Sequence, residues 1–237
     1  MTRVVISQPM YFPWFGFMAQ MSLADVFIWL DDAQFSKGSF TNRVQVKTDN
    51  GLTWMSVPLK KESKGLQIKD LVPAHQNWQM SQNMMLSQSF KEYRYCNDIL
   101  EMHMSITMGK SLIDTLIESV ERPARAMGIL PKNIYRSSKM KIDGCSWQRV
   151  LRLVQEVGGT EYITGHGAIS YLDHSMFEKV GIDVSYMNYK AIPWPQPHGG
   201  FIPNVTILDL LAAVSDETAR KHLNPTTLNW REFKKSP

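Results

Sequence analysis

VVISQPMYFPWFGFMAQMSLADVFIWLDDAQFSK, residues 4–37, is the stretch whose reading decides the fold class. Val4, Val5 and Ile6 form a short β-branched run, the mark of a buried strand. Ser7-Gln8-Pro9 breaks it, since proline has no N–H to give to a ladder. Trp14, Phe17, Met18 and Met21 then recur at i, i+3, i+4 and i+7, the spacing of one helix face. Residues 26–30 are a second apolar run. Strand, loop, helix and strand in so short a span open a parallel βαβ unit. In such a unit the loops that follow the strands lie at the carboxyl edge of the sheet, where ligands bind. Residues 8–13 are the first such loop, and the polar run Asp31-Asp32-Ala33-Gln34-Phe35-Ser36-Lys37 is the second. Two polar tips on one edge are the main physical argument for a site.

The pattern recurs downstream. Residues 161–164 read as a strand, Gly165-His166-Gly167-Ala168 as a glycine-flanked loop, 171–181 as a lead-in and short helix, and 183–189 as the next strand. Glycines at a strand's carboxyl end let a ligand approach the backbone, although a glycine pair also serves as a plain tight turn. Between the two units, Asn50-Gly51 separates two β-rich runs and predicts a hairpin over residues 44–59, with Asn42 and Arg43 at its open end and Trp54 and Val57 in the core. Residues 60–65 read as a surface loop, 67–72 as a strand, and 77–90 as a helix packing through Trp78, Met84 and Met85. Leu112, Ile113, Leu116, Ile117 and Val120 mark an amphipathic helix that Pro123 is expected to break or kink. Tyr135-Arg136-Ser137-Ser138 is short and polar. Trp147 to Val157 is a helix stopped by Gly158-Gly159. Residues 193–200, PWPQPHGG, form a rigid loop carrying Gln196 and His198. Thr206 with Asp209 resembles a capping box that opens a helix. The tail after Asn224 reads as peripheral.

At 237 residues, 43% apolar and 20% charged, the chain fits one globular α/β domain over 1–237 with the hairpin as an insert. No apolar run reaches the ~20 residues of a membrane span, and the N-terminus lacks the make-up of a signal peptide. Cys96 and Cys145 do not form a disulfide framework; a reducing cytoplasm is the simpler setting. The net charge of +4 is mild, and no zinc-finger or RNA-binding signature argues for nucleic acid. Lys37, Lys60, Lys61, Lys64 and Lys69 crowd the first third. They read first as a solvated face; a phosphate-bearing or nucleotide ligand is the alternative use.

Three of the six histidines, His166, His174 and His198, fall in loops or at element ends. His166, between glycines at a strand end, leads as a general base; His174 reads as structural. A metal site from His166, Asp173 and His198 matches no standard ligand spacing. Asp31 and Asp32, adjacent on a strand end, would point to opposite faces, so one of them faces the site. The catalytic candidates are therefore His166, Asp32 and Lys37. The substrate-binding candidates are Gln8, Tyr11, Trp14, Gln34, Asn42, Arg43, Tyr171, Gln196 and His198. Arg43 suits bidentate phosphate or carboxylate recognition. No P-loop, G-x-G-x-x-G or G-x-S-x-G is present, and the residues name no metal, no cofactor and no oligomeric state.

QPMYFPWFGF, ADVFIWLDDAQFSKGSFTNR, YITGHGAISYLDHSMFEKVGIDVSYMNY and PQPHGGFIPNVTILDLLA together resemble the WbqC-like family, over roughly residues 4–213. Many members open with His-Gln-Pro-Asn where this chain has Ser7-Gln8-Pro9-Met10. The resemblance implies a bacterial protein of O-antigen or other surface-polysaccharide biosynthesis. A thinner likeness lays residues 8–17 on the loop-helix start of the nucleotidyltransferase-like superfamily, pantothenate synthetase in particular. Its His-x-Gly-His is here Trp14-Phe15-Gly16-Phe17, so both phosphate-holding histidines are aromatic. Together these imply a Rossmann-like, parallel-dominated sheet with helices on both faces. They also imply a small-molecule substrate, a nucleotide-linked amino sugar, on which an acyl or aminoacyl transferase would form an amide. The rival classes are a non-catalytic binding or scaffold protein and a metal-dependent hydrolase.

Overall fold

The computed structural model describes residues 1–235. The opening unit is present as β1 (Arg3–Ser7), α1 (Phe15–Ser22) and β2 (Val26–Trp29). The hairpin follows as β3 (Arg43–Thr48) and β4 (Gly51–Ser56), a separate two-stranded sheet. Next come α2 (Trp78–Ser89), α3 (Cys96–Thr107) and α4 (Leu112–Ala126), then β5 (Asn133–Arg136), α5 (Ser137–Met140) and α6 (Ser146–Glu156). The second unit is β6 (Glu161–Thr164), α7 (His174–Lys179) and β7 (Asp183–Met187). The chain closes with α8 (Ile207–Ala213), α9 (Asp216–His222), β8 (Thr227–Asn229) and α10 (Trp230–Phe233). The main sheet runs β5-β2-β1-β6-β7-β8, parallel except for β8.

This order places the topological switch point between β1 and β6, because the chain leaves β1 toward β2 on one side and returns to pair with it from the other. Alternation along the strands feeds two cores. Val5, Phe27, Trp29 and Ile163 pack with α1, α4 and α8 on one face. Val4, Ile6, Val26, Ile28 and Tyr162 pack with Val150, Leu153 and Val154 of α6 and Phe177 of α7 on the other. The Rossmann-like α/β architecture with helices on both faces and a hairpin insert is therefore present.

Several local expectations differ. Residues 67–72 hold a 3-10 turn at Ile68–Asp70 rather than a strand, with a single bridge from Gln67 to Gln34. Trp54 is 40% exposed, because the hairpin joins no other sheet and its outer face meets solvent. In α2 the buried face is Trp78, Gln82, Leu86 and Ser89, while Met84 points outward. Pro123 does not end α4, which continues to Ala126. Pro123 deprives the helix of one N–H bond near its end, yet it is buried and the last turn is kept. Residues 133–136 are an edge strand paired to β2, and the tail supplies β8, which pairs with β7. Thr206 does cap α8 through Leu208 N–H, but Asp209 turns away from the capping box into the core.

That burial is partnered. Asp209 is 1% exposed and accepts from Trp194 Nε1 at 2.7 Å, Tyr93 O–H at 2.8 Å and Gln196 Nε2 at 2.8 Å. Burial pushes its pKa up, against those three donors and nearby Lys47, which pull it down. Lys47 is buried beside it and donates to the carbonyls of Gly200 and Gly199 at 2.7 and 3.2 Å and to Gln196 Oε1 at 3.4 Å. This network fastens the proline-rich loop to β3 and α8.

Candidate functional site

The loop after β1 is nailed down. Tyr11 N–H bonds Phe40 O at 3.2 Å, Phe12 N–H bonds Ser119 Oγ at 3.0 Å, Thr206 O–H bonds Phe12 O at 2.9 Å, and Ile207 N–H bonds Pro13 O at 2.7 Å. These bonds hold Phe12 at φ +39°, a costly conformation for an aromatic residue. Tyr11 is fully buried, its hydroxyl donating to Gln82 Oε1 at 2.6 Å, so it lies in the core rather than along a cleft. Gln8 is half-buried, and its amide makes no side-chain hydrogen bond among the described residues.

At the switch point Trp14 meets Tyr189 with ring centroids 4.7 Å apart, and Tyr189 meets His166 at 5.0 Å. Burial pushes the Tyr189 hydroxyl pKa up to about 12. The exposed His166 ring packs on Phe233 and places Nε2 2.7 Å from Met187 O. A carbonyl only accepts, so Nε2 carries the proton and Nδ1 of the neutral ring keeps its lone pair.

The second loop divides in function. Because β2 ends at Trp29, pleat alternation does not govern Asp31 and Asp32, and both carboxylates accept from Ser137 O–H, at 3.3 and 2.6 Å. Asp31 also takes Ser138 N–H at 3.0 Å and Ser138 O–H at 2.7 Å. Asp32 is gripped by Arg149, Nη1 at 3.0 Å and Nη2 at 2.5 Å. Burial raises the Asp32 pKa, but the Arg149 and Ser137 bonds and the Arg149 charge outweigh it and leave the carboxyl below its usual range. Asp32 therefore fastens β2 to α5 and α6.

Past Asp32, Lys37, Asn42 and Arg43 come together. They line a pocket of about 590 Å³ whose other cations are Lys60, Lys61 and Lys64. Among the described residues no carboxylate lines it. Asn42 donates to Val57 O at 2.8 Å. The Arg43 guanidinium lies 4.2 Å over the Trp54 ring and donates to Gly38 O. Gly38 sits at φ +87°, and a Cβ there would come within 3.3 Å of Arg43 Nη2. Arg43 Nε is enclosed and has no hydrogen-bond partner among the described residues. An enclosed, unpaired N–H costs about 1–3 kcal/mol.

The remaining candidates stand elsewhere. Gln34 is exposed, and its backbone bridges Gln67. Gln196 belongs to the Asp209 network. His198, at φ +63°, lies 3.1 Å from Ser89 O, and Tyr171 is on the surface near Tyr162. His166, Asp173 and His198 form no metal-binding group, and no cluster of three His, Cys, Asp or Glu suited to a metal occurs among the described residues. Sequence reasoning separated Lys60, Lys61 and Lys64 from Arg43. Their pooling depends on how residues 57–74 fold back, and the lysine density was the one available signal.

A family model, the WbqC-like protein family, matches residues 8–221. The chain belongs to that family. One relative of this WbqC-like chain is the uncharacterized protein Rv1507c of Mycobacterium tuberculosis (strain ATCC 25618 / H37Rv), 28% identical over 229 residues, which cover 92% of this chain and 96% of the relative. No solved structure matches. No helix among the described residues is long and apolar enough to cross a membrane.

Proposed function

We propose that this WbqC-like protein is an enzyme of bacterial surface-polysaccharide or related biosynthesis that holds a nucleotide-linked amino sugar by its diphosphate in the basic pocket. The observation that carries this reading is the pooling of Lys37, Arg43, Lys60, Lys61 and Lys64 around one cavity without a lining carboxylate. Like charges so gathered repel one another, and a diphosphate relieves that repulsion and suits the planar guanidinium of Arg43 in the pocket wall. The reaction assigned is acyl or aminoacyl transfer. The sugar amine attacks an activated acyl carbonyl, a C–N bond forms, the donor's leaving group departs, and the amine proton passes to a base. His166 Nδ1 is our candidate for that base.

Two observations favour a second reading, a ligand-binding protein without turnover: His166 is not among the residues lining the basic pocket, and Asp32 is already neutralised by Arg149. Calorimetric titration with a panel of nucleotide sugars tests the shared part. Absence of heat with every member removes the nucleotide-sugar assignment. His166→Ala then separates the two readings: lost product formation with retained binding supports the transferase, and an unchanged phenotype in complementation supports the binding protein.

A further inference from the structure

Lys60 lines the basic pocket and also a second chamber of about 540 Å³. Its backbone is fixed there, since Lys60 N–H bonds Val72 O at 3.2 Å and Leu59 bridges Pro73. The second chamber differs in chemistry. Gln76, Asn77, Trp78 and Gln79 line it together with Lys110, and again no carboxylate among the described residues. Trp78 is only 5% exposed, yet its indole N–H has no acceptor among the described residues. That N–H is not sealed in: the enclosed, unpartnered side-chain atoms there are Arg43 Nε, Asn83 Oδ1 and His103 Nδ1. The Asn77 amide likewise makes no hydrogen bond, while Gln79 is occupied by Thr107 O at 3.0 Å. The two linings thus differ: cations, the Arg43 guanidinium among them, are the only charged residues of the first, and the second offers side-chain amides and the unpaired Trp78 Nε1–H.

We infer that one ligand spans both chambers: a glycosyl diphosphate whose diphosphate lies between Arg43 and Lys60 and whose neutral, oxygen-rich body crosses Lys60 to accept from Trp78. This rests on the proposed nucleotide-sugar reading and adds the part of the molecule that sets specificity. Diphosphate charge supplies affinity in the first chamber, and neutral hydrogen bonds supply discrimination in the second.

The test is calorimetry on the full chain with inorganic pyrophosphate and with UDP-N-acetylglucosamine. The expected result is at least tenfold tighter binding of the nucleotide sugar. Trp78→Phe should remove roughly five- to tenfold of that advantage, one lost hydrogen bond to an uncharged donor, and leave pyrophosphate affinity unchanged. Asn77→Gly is the second variant, since glycine accepts φ +72° without strain and the exposed side chain holds nothing in the fold. It should act in the same direction. Lys60→Ala should weaken both ligands. Pyrophosphate binding with no gain for the nucleotide sugar, or an equal loss of both ligands in both second-chamber variants, overturns the two-chamber inference while leaving the diphosphate site standing. Failure of wild-type protein to bind either probe overturns the underlying reading as well.

Discussion

Arg43 stacks on Trp54, gives one N–H to Gly38 O, and still keeps Nε enclosed and unpaired. Its orientation is thus set before any ligand arrives. Lysine at this position would carry the charge but lose the planar fork and the stacking. Arg43→Lys should therefore weaken pyrophosphate roughly ten- to hundredfold, measured by calorimetry, with little change in melting temperature. Equal affinity in the variant would mean that the pocket binds by charge count alone. His103 poses a different problem. It is fully buried, Nε2 sits 3.2 Å from Gln82 Oε1, Nδ1 has no partner among the described residues, and burial lowers its pKa from 6.5 to about 4. The unfolded chain thus binds a proton between those values that the folded chain refuses, so stability falls as pH drops from about 6.5 toward 4. The loss is of order 3 kcal/mol. His103→Phe should flatten that part of the pH–stability curve, followed by urea unfolding across the window. The two residues differ in what sequence could say of them. Arg43 was nominated as an anion contact by type and position, but His103 carries no motif, and it is buried by the packing of α2 on α3 with Tyr11 and Phe12 against it.

Elements with strong period were legible and short polar ones were not. β1, α1 and β2 announce themselves because Val4, Val5 and Ile6 are covered on both faces and α1 follows at helical spacing. β5 has the half-buried, half-exposed pattern of a strand with one neighbour, and β8 has three residues, so neither makes a run. The α6–β6 connection shows how tightly the legible parts are packed. Gly158 turns the chain at φ +67°, and at Gly159 a Cβ would lie 2.5 Å from Val4 Cγ2 and 2.6 Å from Val154 Cγ1, both fully buried. Neither valine can yield, so Gly159→Ala should destabilise by about 1–3 kcal/mol through overpacking. An unchanged denaturation midpoint would show that the two elements can part. The clasp at the other edge is electrostatic. Arg149→Ala leaves Asp32, 14% exposed, with Ser137 alone. The expected cost is about 2–3 kcal/mol at neutral pH, read by the same unfolding experiment. Asp32's folded pKa lies below 3.8, so this cost is present above that value and fades as pH falls through the folded pKa.

Across the whole molecule the charge is spread unevenly. The net charge is only +4, from 26 Lys and Arg against 22 Asp and Glu, yet five cations surround one pocket that no carboxylate lines among the described residues. Some of the acids are engaged elsewhere, Asp32 with Arg149, Asp114 with Arg136, Glu178 with Arg231. The enclosed Asp32–Arg149 clasp excepted, the fold leans little on these pairs, since Asp114–Arg136 and Glu178–Arg231 are exposed and surface ion pairs contribute about 0–1 kcal/mol each. It leans on two apolar layers, closed at one edge by β8 and by Phe233 stacked on Tyr186 at 4.5 Å. Salt should therefore separate binding from stability. The Debye length shrinks from about 30 Å at 0.01 M to about 3 Å at 1 M, so solvent-exposed lysines lose their reach while buried contacts do not. Pyrophosphate affinity should fall at least tenfold between 0.05 and 0.5 M sodium chloride, by calorimetry, while the melting temperature stays within a few degrees. Lys61→Ala with Lys64→Ala should flatten the slope of log Kd against log salt, because two of the cations that set the field are gone. A salt-independent affinity would mean that the ligand is held by neutral hydrogen bonds and packing, and that the lysines form a solvated face after all.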